Sequence, residues 1–412
     1  MAQTKPTDSS DANPEVDRDS SAVGRWSDRF GGHPASIYYL MFGSTIFLLV
    51  VGVLMVWSAS AIDGIRDSGS STALVSKQAL FAVVGLAAMF FASRLSTAQL
   101  RTLAWPLLGV SVILLVLVLI PGIGVSVNGQ RNWIDLGGPF RLQPSEIAKL
   151  ALVLWGAHVL TRKWRPTTDW PTLLVPLLPA AGAIALLVSM EGDFGNAMIL
   201  GVITAGLFFA VGAPLRLFVG LGALGVAGLT LAIGAEDYRR ERWTSFLESE
   251  PDRLDTAWQV TQGTYALGTG GWWGVGLGAS REKWGTLPAA HTDFILPVIG
   301  EELGLLGTLG VLTLFAILVG SVLRLGQKAP DRFTRLLAAG VGTWLIIQVI
   351  TNVGAALKML PITGVTLPMV SYGGSSLLPL LVALGLLLGA ARRLHSSTEE
   401  TAVASEGLTA RE

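Results

Sequence analysis

From Tyr39 to Ala391 the chain repeats one unit: an apolar block of about 15 to 21 residues, then a short joint rich in charge, glycine or proline. Lipid offers the backbone no hydrogen-bond partner, so a block of this kind can cross a bilayer only as a helix, which satisfies its own N–H and C=O groups. Ten blocks are present, roughly Tyr39–Trp57, Val75–Ala92, Leu103–Ile120, Ser145–Leu160, Leu173–Met190, Ala197–Val211, Leu217–Ile233, Leu303–Leu323, Leu336–Ile350 and Leu377–Ala391. The fold class expected is an all-α polytopic membrane protein of about ten transmembrane helices. Several blocks are shorter than the roughly 20 residues a 30 Å hydrocarbon core needs. Their helices must therefore extend into the flanking semi-polar residues.

Composition agrees, with 51% hydrophobic and 14% charged residues, against about 25% charged in soluble domains. The chain has no cysteine, which excludes disulfides, thiolate metal sites and a cysteine nucleophile. His33, His158, His291 and His395 are scattered and show no zinc-type spacing. There is no basic stripe or module for nucleic acid, and the net charge of zero points to no partner. Residues 1–36 are rich in Ser, Asp and Pro and read as a disordered tail without the apolar core of a signal peptide. Residues 394–412 are likewise polar, which leaves 37–393 as one membrane domain.

The joints set an orientation. Arg94 and Arg101 lie between blocks two and three, and Arg162, Lys163 and Arg165 between four and five. Arg324, Lys328, Arg332 and Arg335 lie between eight and nine, and Arg392 and Arg393 follow ten. The joint after block five carries Glu191 and Asp193 and no base. The positive-inside rule then puts both termini in the cytoplasm and residues 234–300, between spans seven and eight, in one large extracytoplasmic loop.

Three outward segments hold more than connectors need. In Ser126–Leu150, Asn128-Gly129 marks a turn, Arg131 and Trp133 follow it, and Pro144 opens a helix with Glu146 in its first turn. Lys149 lies three residues after Glu146, so the two can form a local ion pair; alternatively Arg131 and Lys149 hold an anionic headgroup. Trp133 suits stacking on a sugar or anchoring at the interface. The large loop carries Arg239 and Arg242, then the string GTGGWWGVGLG from Gly268 to Gly278. That string follows no strand, so it reads as a tight interfacial turn with Trp272 and Trp273 as belt aromatics, not as a nucleotide cradle. In Leu360–Ser376 two prolines and paired glycines rule out a regular span, and such backbone at membrane depth must be buried by protein or line a cavity. A re-entrant element before span ten is expected there, with a plain structural hairpin as the alternative.

Asp293, Glu301 and Glu302 stand on the threshold of block eight. Near the start of a helix the two glutamates would sit well on the helix dipole. Adjacent residues point about 100° apart, so at least one of them would face a polar cavity.

The strings NGQRNWIDLG, QPSEIAKL, YRRERWTSFL, GTGGWWGVGLG, HTDFILPVIGEELG and LPITGVTLPMVSYGGSS together resemble the SEDS family (shape, elongation, division and sporulation), in family order and over about Tyr38 to Arg393. The resemblance is closer to its division member than to its elongation member. It implies a peptidoglycan glycosyltransferase that polymerises lipid II at the outer face of the cytoplasmic membrane, at the septum, beside a class B penicillin-binding protein and other divisome membrane proteins. In that reaction a lipid pyrophosphate is already a good leaving group. What the protein must add is a carboxylate base for the attacking hydroxyl and cations for the pyrophosphate.

Asp293 is the expected base. Arg131, Lys149, Arg239 and Arg242 are expected at the pyrophosphates, with Trp133, Glu146, Glu301, Glu302 and Ser371 as further substrate-site candidates. Many division members carry a lysine where this chain has Thr363, which makes Lys358 a candidate in its place. No dedicated metal site is visible, and a divalent cation, magnesium or manganese, bridging acids and pyrophosphate is left open. A lipid II flippase or a non-catalytic divisome scaffold would share most of these features but would need no base at Asp293.

Overall fold

The structure, a computed structural model, describes residues 34–127, 129–137, 140–163, 170–234, 256–284 and 287–409. Within them are eleven α-helices: α1 (Pro34–Ser68), α2 (Ala73–Ser93), α3 (Thr97–Leu119), α4 (Pro144–Lys163), α5 (Trp170–Met190), α6 (Phe194–Ala210), α7 (Leu215–Gly234), α8 (Thr256–Gly270), α9 (Ile295–Lys328), α10 (Arg332–Ala356) and α11 (Gly374–Thr409). Each of the ten apolar blocks lies, to within one residue, in one of these helices, and α8 is the addition, set in the large loop. Six helices, α1, α2, α3, α9, α10 and α11, are long and apolar enough to cross a membrane unaided; shorter apolar stretches occupy α5, α6 and α7. The protein is a helical multi-pass membrane protein.

The central helix is α4, enclosed on nearly every face by α3, α5, α6, α10 and α11. Because protein and not lipid surrounds it, α4 can carry polar side chains such as Glu146 and Lys149 that a lipid-facing helix could not. Elsewhere helices approach closely at glycines. A Cβ on Gly385 or Gly389 of α11 would fall 2.3 Å from the carbonyl oxygens of Met89 and Ser93 on α2.

The joint between α3 and α4 folds into a three-stranded antiparallel sheet, β1 (Gly124–Val127), β2 (Gln130–Asp135) and β3 (Arg141–Leu142), in the order β1-β2-β3. Val127 pairs with Gln130 across the turn, where Gly129 has φ +79°, and Val125 pairs with Trp133. The Asn-Gly turn was expected; the sheet was not, although alternating β-branched and aromatic residues on both sides of Asn-Gly are a hairpin signal. At the carboxyl end, α11 continues to Thr409 through residues read as a disordered tail. A helix already nucleated by a packed span extends at one hydrogen bond per residue.

Helix α9 begins at Ile295, eight residues before the expected start of block eight, so Glu301 and Glu302 lie inside it and not at its positive end. At Gly304 the backbone leaves helical geometry (φ 70°, ψ −170°). The carbonyls this break exposes are taken by the glycine-rich string: Val275 N–H donates to Glu301 O at 2.9 Å and Gly276 N–H to Glu302 O at 3.0 Å. In return Leu305 N–H donates to Gly271 O at 2.9 Å and Leu306 N–H to Trp272 O at 3.3 Å. Two backbones meet so closely only without side chains between them. Gly274 has φ +78°, and a Cβ there would lie 2.2 Å from Glu302 O and 2.7 Å from Gly304 N.

Because the atoms it would strike are backbone, Gly274→Ala should destabilise the protein by more than the roughly 1–2 kcal/mol of left-handed strain alone. Gly268 lies in α8 with open space where its Cβ would stand. Gly268→Ala should therefore be neutral or stabilising by up to about 1 kcal/mol. Thermal unfolding of the two variants in detergent checks both; equal stability would mean the close approach does not carry the loop.

Candidate functional site

The segment before α9 winds through a turn in which Thr292 N–H and Phe294 N–H both donate to Ala289 O, at 3.0 and 3.3 Å. Phe294, the residue preceding the helix, is buried and anchors the turn in the core. Asp293 stands just before it, half-buried, at the positive end of the helix dipole, where a carboxylate is favoured. Its Oδ2 faces Gly364, where an added Cβ would lie 3.8 Å away and where φ is +71°. Asp293, Thr351, Asn352, Thr363 and Gly364 line a shallow, partly open cleft.

The far wall of that cleft is the proline- and glycine-rich stretch before α11, which is non-helical from Pro361 to Gly373 and largely buried. Its backbone is satisfied by side chains. Asn352 Nδ2 on α10 donates to both Asp293 O and Val365 O, each at 2.9 Å. Ser371 Oγ accepts from Leu367 N–H at 2.8 Å and donates to Thr292 O at 2.7 Å. Tyr372 N–H reaches His291 O at 2.9 Å. Gln78 on α2 donates to Ser371 O and accepts from Gly373 N–H, both at 3.3 Å. Small residues admit the stretch: a Cβ on Gly52 of α1 would meet Met369 O at 2.3 Å, and one on Gly195 of α6 would meet Thr363 O at 2.5 Å.

Behind Thr363, at the start of α6, lies a buried polar cluster. Asp193 caps the helix through Asn196 N–H at 3.0 Å, and its Oδ2 accepts from Asn196 Nδ2 at 2.8 Å and Gln143 Nε2 at 2.9 Å. Lys149 is completely buried, with Nζ 2.7 Å from Glu146 Oε1 and 3.0 Å from Asn196 Oδ1, and over the Trp344 ring. The pairing alternative read from their spacing is the one observed. An ammonium enclosed and engaged in this way ties α4 to α6, so Lys149 and Glu146 support the site from behind and do not reach a headgroup.

The remaining candidates are spread. Arg131 on β2 is exposed, with its backbone N–H on Glu191 O at 3.1 Å. Trp133 is half-buried on the same strand. Glu301 and Glu302 are each 1% exposed and hold the large loop instead of lining the cleft. Glu301 accepts from Ser280 Oγ and from Arg281 N–H at 2.9 Å. Glu302 accepts from Ser58 Oγ of α1 at 2.6 Å and pairs with Lys283 at 3.0 Å. Lys358 is exposed in a left-handed turn after α10 (φ +57°), and Ser371 is buried. Arg239 and Arg242 lie outside the described residues. Sequence reasoning missed Asn352 and Gln78, whose signal was an amide within an apolar helix. It also missed Arg141 on β3, exposed and near enough to Tyr372 to act on it electrostatically. Among the described residues no three acid or histidine side chains are placed to hold a metal ion.

Residues 38–396 match the family model of cell cycle proteins named for FtsW, RodA and SpoVE. The probable peptidoglycan glycosyltransferase FtsW of Mycobacterium tuberculosis is 38% identical over 382 residues, covering 92% of this chain and 72% of that protein. Stage V sporulation protein E of Bacillus subtilis is 38% identical, covering 84% of this chain and 95% of its own. Among solved structures, a chain of a peptidoglycan synthase complex described as coordinating polymerisation and crosslinking superposes with a TM-score of 0.70 at 33% identity, over 85% of this chain and 97% of that one. The rod shape determining protein RodA of Thermus thermophilus superposes at 0.63 with 30% identity, over 86% and 96%.

One acid of the polar region is out of balance. Glu191, in the joint between α5 and α6, is 2% exposed, and neither carboxylate oxygen has a hydrogen-bond partner. Burial first, and then the Asp193 carboxylate, push its pKa from the ordinary 4.5 up to about 9. A folded-state pKa above the unfolded one means the native state holds the extra proton, so this group costs stability as pH rises from about 4.5 towards 9. Glu191→Gln should therefore stabilise the protein at pH 7.5 by at least about 1.4 kcal/mol, the worth of one pKa unit, with the gain vanishing below pH 4.5. Unfolding curves across that range test this; a gain independent of pH would show that the charge is not the cause.

Proposed function

The chain belongs to the family of cell cycle proteins that includes FtsW, RodA and SpoVE, and from that premise we propose how its residues carry out the reaction. It is a peptidoglycan glycosyltransferase of the FtsW-like, cell-division kind. Its substrate is lipid II, polymerised into glycan strands at the outer face of the cytoplasmic membrane. Asp293 is the general base. As the acceptor hydroxyl gives its proton to the Asp293 carboxylate, its oxygen bonds to the anomeric carbon of the donor. The bond from that carbon to the pyrophosphate oxygen breaks, the lipid pyrophosphate leaves with the electron pair, and configuration inverts.

The observation that carries this reading is the half-buried Asp293 carboxylate facing a cleft whose opposite wall is non-helical backbone. In a chain of this hydropathy, such backbone is tolerated only beside protein or a wet cavity. Arg131 and Arg141, both exposed on the small sheet, are the cations for the pyrophosphates. Trp133 lies on the same sheet as the candidate for a sugar face. Lys149, Glu146 and Ser371 hold the walls in place, and Glu301 and Glu302 hold the loop. A class B penicillin-binding protein is the partner, at the septum. Both termini are cytoplasmic, because the short basic joints belong on that side.

Purified protein incubated with lipid II, with and without that penicillin-binding protein, should make glycan strands. Asp293→Asn should slow polymerisation by about 10²–10⁴, the usual effect of losing a general base, while lipid II binding and folding persist. Near-normal glycan synthesis by the well-folded variant removes Asp293 as the base and moves the function toward lipid transport or scaffolding. The chain has no cysteine, so single cysteines report topology cleanly. In intact cells an impermeant thiol reagent should label Trp273→Cys and leave Gln327→Cys unlabelled. The reverse pattern would invert the orientation.

A further inference from the structure

We propose that Asn352 is a positioning residue for this reaction: its side-chain amide sets the distance and angle between the Asp293 carboxylate and the opposite wall of the cleft. The proposal rests on the reading of Asp293 as the base. Asn352 sits on α10 beside the buried polar residues Gln348 and Thr351 and is 2% exposed. Placing an amide in a membrane helix has a cost that packing alone would not select. What it does there is specific. One nitrogen donates to Asp293 O and to Val365 O, each at 2.9 Å. An amide nitrogen has two hydrogens, so both are used, and only the nitrogen end of the side chain can face two carbonyls. That fixes the orientation of the group, and Oδ1 is left buried without a partner.

Both carbonyls stand outside helix and strand. The helical partner for Asp293 O would be the N–H four residues on, but that residue is Pro297, which has none. Val365 lies in the extended, non-helical stretch, where no strand pairs with it. These oxygens lie on two segments some seventy residues apart in sequence, also joined by the Ser371–Thr292 and Tyr372–His291 bonds, and Asn352 is the link that ends at Asp293 itself. With it, the peptide that follows Asp293 is held to the peptide that follows Val365, the neighbour of Gly364, which the carboxylate faces. One neutral side chain therefore governs the gap in which an acceptor hydroxyl must sit. It touches backbone and carries no charge, so it should act on the chemical step and not on lipid II affinity.

The test uses the full chain in lipid nanodiscs, with lipid II as substrate and radiolabelled glycan as readout. Asn352→Ala should lower kcat by about 10- to 100-fold, the scale of a misplacement of about 1 Å, with KM for lipid II unchanged. Asn352→Ser keeps a single donor and should fall between wild type and alanine. Combined with Asp293→Asn, Asn352→Ala should add no further loss, because a residue that works through the base has nothing left to position. A purely structural role predicts something else: less folded protein, an unchanged rate per folded molecule, and losses that multiply in the double variant. Either that pattern or a wild-type kcat in Asn352→Ala overturns the proposal. If Asn352→Ala fails to fold, Asn352→Ser decides, and a wild-type kcat there overturns it too. A full rate in Asp293→Asn alone instead overturns the base assignment, which separates the two failures.

Discussion

Backbone that is not helical cannot be left bare inside a membrane protein, and residues 361–373 are the place where this chain has to meet that demand. Every unmet N–H or C=O there would cost several kcal/mol in hydrocarbon. The solution is to bring in side chains: Asn352 from the preceding helix α10, Gln78 from the distant α2, and Ser371 from the stretch itself. Glycines on α1 and α6 let the stretch lie against them. The arrangement that keeps the backbone satisfied also places Thr363 and Gly364 opposite Asp293. The site follows from a folding requirement.

The large loop meets a related demand differently. Breaking α9 at Gly304 frees the carbonyls of Glu301 and Glu302, which a continuous helix would have satisfied itself. The glycine-rich string supplies their donors, backbone to backbone. Glu301 and Glu302 then add charged grips on Ser280, Arg281, Lys283 and Ser58, which join the loop to α1 as well as to α9. Two buried carboxylates with one lysine are a costly group on their own. They are tolerated because four hydrogen-bond donors besides the lysine converge on them. The result is a loop seated firmly at the end of the helix whose first residues carry the turn of Asp293.

Charge in the interior is sorted by whether it can be partnered. On the enclosed helix α4, Lys149 bonds Glu146 Oε1 and, on α6, Asn196, while Arg131 and Arg141 stay on the exposed faces of the sheet. That division suits a protein that must keep its scaffold charges neutralised and still present cations to an anionic substrate. Glu191 is the exception, enclosed with no donor and driven toward its protonated form.

Local properties of the chain were legible before any coordinates. Ten apolar blocks give ten helices because lipid leaves the backbone no other option, Pro144 opens α4 because proline suits a first turn, and the proline- and glycine-rich stretch cannot be a span because it cannot make the bonds of one. Asp293, with its motif, stood out as an acid at the edge of an apolar run. Pairings across the chain were not legible, since they depend on which helix faces which. Spacing showed that Glu146 and Lys149 could meet, but only enclosure of α4 by five neighbours decided that the pair is buried and closed to a headgroup. Glu301 and Glu302 read as helix-start acids until the tertiary structure moved that start to Ile295 and placed Ser58 and Lys283 against them. Asn352 was one of two amides on α10, with Gln348; its meaning came from two carbonyls brought within 2.9 Å by separate stretches of chain. A sequence states what each segment must satisfy, and packing alone chooses which distant group satisfies it.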